Sequence, residues 1–427
     1  MRRPLLPAAA GAESLRPPCT TPRPAARAET EPGESDARLV TRWIRGALAT
    51  AGALALARPP QASSQGGTDA WRSQTVPLWG VSYSTDIGLL VGAGITYTRY
   101  GFRALPPSTR LLAEAAYATS VHGYRVDLAG EFRRPLLPAI LFVELRASGL
   151  ELVRFYGTGN ETDGSRPDSV YRVRQTQLLL GPRVAIPVAP RFRLTLGPLL
   201  EYTHTPVDFG TVLAGTRPYG AGDFGLVGAR AALELDTRDL PTAPARGFHL
   251  TLAGRWHPAV WDVANPFGSW SAEASTYLSA GDPPAATLAL RAGGAAVSGT
   301  VPFQELVYVG GETTVRGYAE QRFAGRRGAY GNVELRFPAG RLPFADVGLF
   351  GLADAGRVWT PGESSDRWHA AAGEVCGSPG STAVPPPCRS RPRGARSAPR
   401  CTSARGSCFE GLNSDPWAGV YRVALTS

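Results

Sequence analysis

The residues best suited to chemistry lie in two neighbouring stretches. Gly310-Gly311-Glu312-Thr313-Thr314-Val315-Arg316-Gly317-Tyr318 is Gly-rich and carries one cation, with an acid at Glu312. Downstream, Asn332-Val333-Glu334-Leu335-Arg336-Phe337-Pro338 supplies the acid Glu334, and Asp354-Ala355-Gly356-Arg357-Val358-Trp359 supplies a second acid, Asp354. An arginine on a long loop beside a polar surface seeks carboxylates, and its planar fork can bind them bidentately. Gly317 permits φ > 0 or close backbone approach. The expected chemistry is the pinning of a loop by Arg316 through Glu334 and Asp354.

Other chemistries lack their residues. Gly220-Ala221-Gly222-Asp223-Phe224-Gly225 spells G-x-G-x-x-G but leads into a strand pattern, without the βαβ context of a dinucleotide site. No G-x-S-x-G, H-E-x-x-H or Walker loop occurs. The five His are scattered; His249 and His257 share a polar face but stand too far apart for one metal. The tail cysteines Cys376, Cys388, Cys401 and Cys408 fit no zinc template. We therefore expect no enzyme, no cofactor and no metal.

The elements that must position Arg316 and its acids are strands. Period-two alternation marks thirteen segments: 77–84, 88–98, 109–119, 123–134, 139–149, 170–181, 190–203, 224–236, 246–257, 268–279, 285–295, 329–337 and 346–356. In 246–257, Phe248, Leu250, Leu252 and Trp256 oppose His249, Thr251, Arg255 and His257. In 329–337, Val333, Leu335 and Phe337 oppose Asn332, Glu334 and Arg336. Most segments are long enough to cross an outer-membrane barrel wall, and charged faces of both signs suit a wet lumen. Gaps at 135–138, 182–189, 237–245, 280–284 and 338–345 read as short periplasmic turns. Those at 150–169, 204–223 and 296–328 read as long extracellular loops, while 85–87 and 120–122 are very short on that same side. The fold class expected is all-β: a transmembrane antiparallel barrel, nominally of sixteen strands, with thirteen and the start of a fourteenth recognisable.

The motif order then adds a resemblance. The V-R-G-Y loop and the two acidic strands after it are similar to those of the BamA/TamA family of bacterial outer-membrane assembly barrels, also called the bacterial surface antigen family. Val301-Pro302-Phe303-Gln304-Glu305, leading to Tyr308, resembles that family's approach to the loop. Asp236-Thr237-Arg238-Asp239, followed by Pro244 and Arg246-Gly247, resembles one of its periplasmic turns. Phe155-Tyr156-Gly157-Thr158-Gly159-Asn160-Glu161-Thr162 is similar to a motif of its short members, with the physical content of a tight turn. The similarity spans about 77–370 and places the loop between the eleventh and twelfth segments. Leu352 departs from it, standing where the family often has an aromatic. The resemblance implies that Val315, Arg316, Gly317 and Tyr318 form a loop folded into the lumen, with Glu334 and Asp354 as its anchoring acids. It implies outer-membrane lipid and unfolded outer-membrane or secreted proteins as partners.

The ends read differently. Residues 1–39 are Pro/Ala/Glu-rich and read as disordered chain ahead of a true start expected near Val40. Arg42-Trp43-Ile44-Arg45 and the apolar Gly46–Ala57 describe a signal peptide over 40–62, with cleavage after Ala57 or Ala62. A linker over 63–76 and the barrel over 77–373 follow. Residues 374–427 are an irregular tail, from a frameshift or as genuine disordered chain. All 45 basic residues are Arg, and the net charge of +10 is spread along the chain. That argues against nucleic acid, which needs a clustered basic face. The function expected is a barrel-only protein of insertion or translocation, without periplasmic repeat domains; the alternatives are a passive pore and a lipid-modifying enzyme in the wall.

Overall fold

Alternation of charged and apolar residues produces one long antiparallel ribbon. The computed structural model describes residues 73–377, apart from 85–86, 102–103, 135–136, 242 and 343–344. The signal segment 40–62, the chain before it and nearly all of the tail lie outside the described residues. The first strands are β1 (Gln74–Ser84), β2 (Gly88–Gly101), β3 (Ala104–Ala118), β4 (Gly123–Arg134), β5 (Leu137–Arg154), β6 (Arg172–Leu180), β7 (Arg183–Ala189), β8 (Phe192–Thr205) and β9 (Gly222–Asp236). They are followed by β10 (Gly247–His257), β11 (Phe267–Ala280), β12 (Ala286–Ser298), β13 (Val307–Val309), β14 (Phe323–Gly325), β15 (Arg327–Leu342), β16 (Ala345–Trp359) and β17 (His369–Gly377). From β1 to β17 the strands of the main sheet pair in chain order, except that β6 and β7 each pair with β5 and β8 and not with one another. The hairpin β13–β14 forms a separate small sheet inside the loop between β12 and β15. Among the described residues no ladder joins β1 to β17.

Two readings of the sequence need correction here. The stretch 182–189 is not a turn: β7 occupies it and pairs with both β5 and β8, end to end with β6 in the same place in the sheet. Pro182 interrupts the strand, because it has no N–H to give, while Gly181 still donates to the Glu144 carbonyl at 2.9 Å. The reversal lies at Arg191, in the left-handed region at φ 70°. Strand structure also does not stop at residue 373, since β17 pairs with β16 as far as Gly377.

The polar face is closed by ion pairs along its length. Asp127 holds Arg125 and Arg146, Glu131 holds Arg110 and Arg133, and Glu144 holds Arg183. Leu111, Leu128, Leu141, Leu196, Leu252, Val333 and Leu335 stand exposed on the other face. The sheet curls so that the charged face is concave: Asn160, just beyond β5, bonds to Val358 on β16, although those strands are far apart in the sheet order. A wet interior and a lipid-facing exterior follow from that curvature. Trp256, Trp270, Trp359 and Trp368 lie exposed at the long-loop end, as an aromatic girdle at the outer interface would.

The two faces make a direct prediction. Leu252 is 40% exposed at the middle of β10, between Leu233 and Ala272. Leu252→Arg should cost about 2–4 kcal/mol in urea titrations from lipid vesicles. The neighbouring Thr251→Arg, beside Glu234 and Glu273 on the charged face, should be tolerated.

Candidate functional site

The loop carrying Arg316 descends onto the charged face because that face is stripped of side chains where it lands. A Cβ at Gly356 would lie 2.7 Å from Val315 Cγ2, and one at Gly328 would lie 2.7 Å from Val307 Cγ1. Val309, Val315, Phe323 and Val358 make a buried apolar cluster there, with Tyr318 against it. Tyr318 meets Phe323 edge-on at 5.5 Å and His369 at 5.6 Å between ring centroids. Gly317 sits at φ 94°, where a side chain would be strained.

Arg316 reaches both acids. Its backbone N–H donates to Asp354 Oδ2 at 2.9 Å, Nε to the same oxygen at 2.7 Å and Nη2 to Oδ1 at 2.7 Å. Nη1 donates to Glu334 Oε1, whose second oxygen accepts from Arg336 Nε at 2.9 Å. The acids stand on adjacent strands, with Asp354 opposite Asn332 and Glu334 opposite Leu352. Both carboxylates are fully buried. Burial alone would weaken the guanidinium's hold on its proton, but the hydrogen bond to Asp354 and the Glu334 charge overcome this and raise its pKa.

Neighbouring side chains hold the loop's backbone. Asn332 Nδ2 donates to the Thr314 carbonyl at 2.7 Å, and Arg291 Nη2 donates to that of Thr313. Glu273 pairs with Arg291 at 3.1 Å. The Thr314 hydroxyl closes its own turn, accepting from the Gly310 N–H at 2.7 Å. Asn332, Arg336 and Gly356 stand in the two acidic stretches without an expected part in holding the loop, and Arg291 stands outside them. Their signal was the polar or side-chain-free position on a strand face next to Glu334 and Asp354.

A second fastening lies toward the long-loop end. Asn160, 2% exposed, donates from Nδ2 to the Val358 carbonyl at 2.7 Å and accepts from the Val358 N–H at 3.1 Å. The β16–β17 ladder reaches only to Gly356, so Asn160 takes up both backbone groups just beyond it. Glu363 accepts from the Asn160 N–H at 2.6 Å. Arg322 donates to Thr162 and lies 4.7 Å from the centroids of Tyr156 and Phe323; burial lowers its pKa. Val153, Phe155, Leu213 and Phe303 draw three loops into one apolar cluster.

The remaining candidates are structural in geometry. Gly220–Gly225 opens β9, with Gly220 and Gly222 at positive φ. His249 lies beside Glu234 and Asp236, the one group of three metal-type ligands among the described residues. Arg238 already grips Asp236 through Nε and Nη2, at 2.9 and 2.8 Å, and Arg193 pairs with Glu234 at 3.4 Å.

Comparison with known proteins agrees with this architecture. The Omp85 superfamily domain matches residues 120–382. Among solved structures, BamA from Haemophilus ducreyi lacking POTRA domains 1–3 is 16% identical with a TM-score of 0.53, covering 71% of this chain and 64% of that one. CdiB from Escherichia coli is 15% identical with a TM-score of 0.46, covering 72% of this chain and 56% of that one. This chain thus spans under two thirds of those relatives' lengths. No curated protein sequence matches. The family domain takes in most of the sheet, the V-R-G-Y loop and both acidic strands, and on that match this chain belongs to the Omp85 superfamily of bacterial outer-membrane β-barrels.

Proposed function

We propose that this chain helps β-rich proteins insert into, or cross, the outer membrane, with the Gly310–Tyr318 loop held in the lumen by Arg316. The observation that carries this reading is the single guanidinium shared between Asp354 and Glu334 on neighbouring strands. That arrangement fixes a loop against the wall and leaves the interior charged and wet, as suits a guide for polypeptide. Membership of the superfamily supports the same reading. The client is an unfolded outer-membrane or secreted protein, and the surrounding partner is lipid.

Liposomes carrying the folded protein should accelerate folding of a small test barrel over empty liposomes. Equal rates would sink the proposal. A passive pore would instead give steady conductance in planar bilayers. The apolar packing of three loops at one end favours a closed resting state, so wild-type conductance should be low.

A further inference from the structure

On the outer face of β16, an arginine points toward lipid. Asp354, Gly356 and Val358 meet the inner loop, so Arg357 and Trp359 alternate outward. Arg357 is nevertheless only 9% exposed. Its guanidinium lies 4.6 Å from the Trp359 ring centroid and 5.9 Å from that of Trp368. It rises toward the interface, donating to the carbonyls of Ser365 at 2.8 Å and Asp366 at 2.9 Å, while buried Nε has no hydrogen-bond partner. Arg327 stands directly across from Trp359 on β15, exposed on the same face. Among the described residues neither arginine has a carboxylate partner.

Below these cations, toward the middle of the membrane, the outer face is made of small residues. Ala274, Ala292 and Gly331 lie side by side on β11, β12 and β15. They floor a shallow cavity of about 340 Å³, with Leu290 and Val333 among its walls. Gly331 is the next outward position after Ala329, which faces Arg357.

We propose that this patch is a binding site for an anionic, phosphate-bearing lipid of the outer leaflet. Its head group is held by Arg327 and Arg357 beside the two tryptophans, and one acyl chain lies over the Ala274–Ala292–Gly331 trough. A lipid-facing arginine at interface depth is costly unless its charge is met, and a lipid phosphate meets it with geometry a guanidinium matches. The adjoining trough supplies apolar contact that inorganic phosphate cannot use, which is why the occupant is a lipid.

The test uses the full chain folded in phosphatidylcholine vesicles doped with brominated phosphatidylglycerol or, at equal fraction, brominated phosphatidylcholine. Tryptophan quenching should show a severalfold preference for the anionic lipid, unaffected by added inorganic phosphate. Arg327→Gln removes an exposed cation that has no ion pair among the described residues, and should lower that preference by roughly fivefold. Arg357→Gln should do the same, although it also loosens the 365–366 loop. Trp359→Phe with Trp368→Phe should abolish the preferential part of the quenching. Equal quenching by the two lipids in the wild type, a preference unmoved by Arg327→Gln, or displacement by inorganic phosphate overturns the proposal.

Discussion

Arg316→Ala should destabilise the folded barrel by about 3–5 kcal/mol, the cost of breaking a buried ion pair from one side. The reason lies in what remains. Asp354 would keep a buried negative charge with three of its hydrogen bonds lost or weakened, and Glu334 would keep only Arg336. Arg316→Lys should recover a minor part of the loss. An ammonium cannot reproduce two parallel bonds to Asp354 while also reaching Glu334. The check is urea unfolding in vesicles, read alongside limited proteolysis. The Gly310–Tyr318 segment should become cleavable in Arg316→Ala before the strands unfold, because Val315 would lose its fixed seat over Gly356.

Asn160→Ala should cost roughly 2–4 kcal/mol, because it leaves both buried backbone groups of Val358 unpaired. Asn160→Asp should be no better. It cannot donate to the Val358 carbonyl, and it sets a second negative charge beside Glu363. Both variants should raise hydrogen exchange at the β16–β17 end while leaving β9 to β11 unchanged. Uniform loosening of the sheet would mean that Asn160 is not a local fastening.

These two positions show how unevenly the sequence discloses a barrel. Val333, Leu335 and Phe337 against Asn332, Glu334 and Arg336 make a strand legible, since period two with full charges on one face admits little else. The inside-out polarity follows from the same residues, because such charges need water or partners and such apolar faces need lipid. Where proline breaks the alternation, legibility fails. Pro182 and Pro187 disguised β7 as a turn, and Pro106-Pro107 hid the first residues of β3. The pairing of Arg316 with Glu334 and Asp354 could be reasoned from charge alone. Asn160 could not, for its partner Val358 lies 198 residues away and offers only backbone groups. A Gly-rich turn around an asparagine carries no mark of what it will meet across a curled sheet. The same holds for Arg357: its outward direction is set by the register of β16, which only the contacts of Asp354 and Val358 fix.

The central physical claim is that Arg316 and Asp354 act as one unit that fastens the loop to β16. A double-mutant cycle of Arg316→Ala and Asp354→Ala, followed by urea unfolding in vesicles, measures it most directly. Interaction between the two changes should reach about 2–3 kcal/mol, so that the double variant loses that much less than the sum of the two single losses. Additive losses, with a coupling near zero, would show that the loop is held by other contacts and would contradict the account.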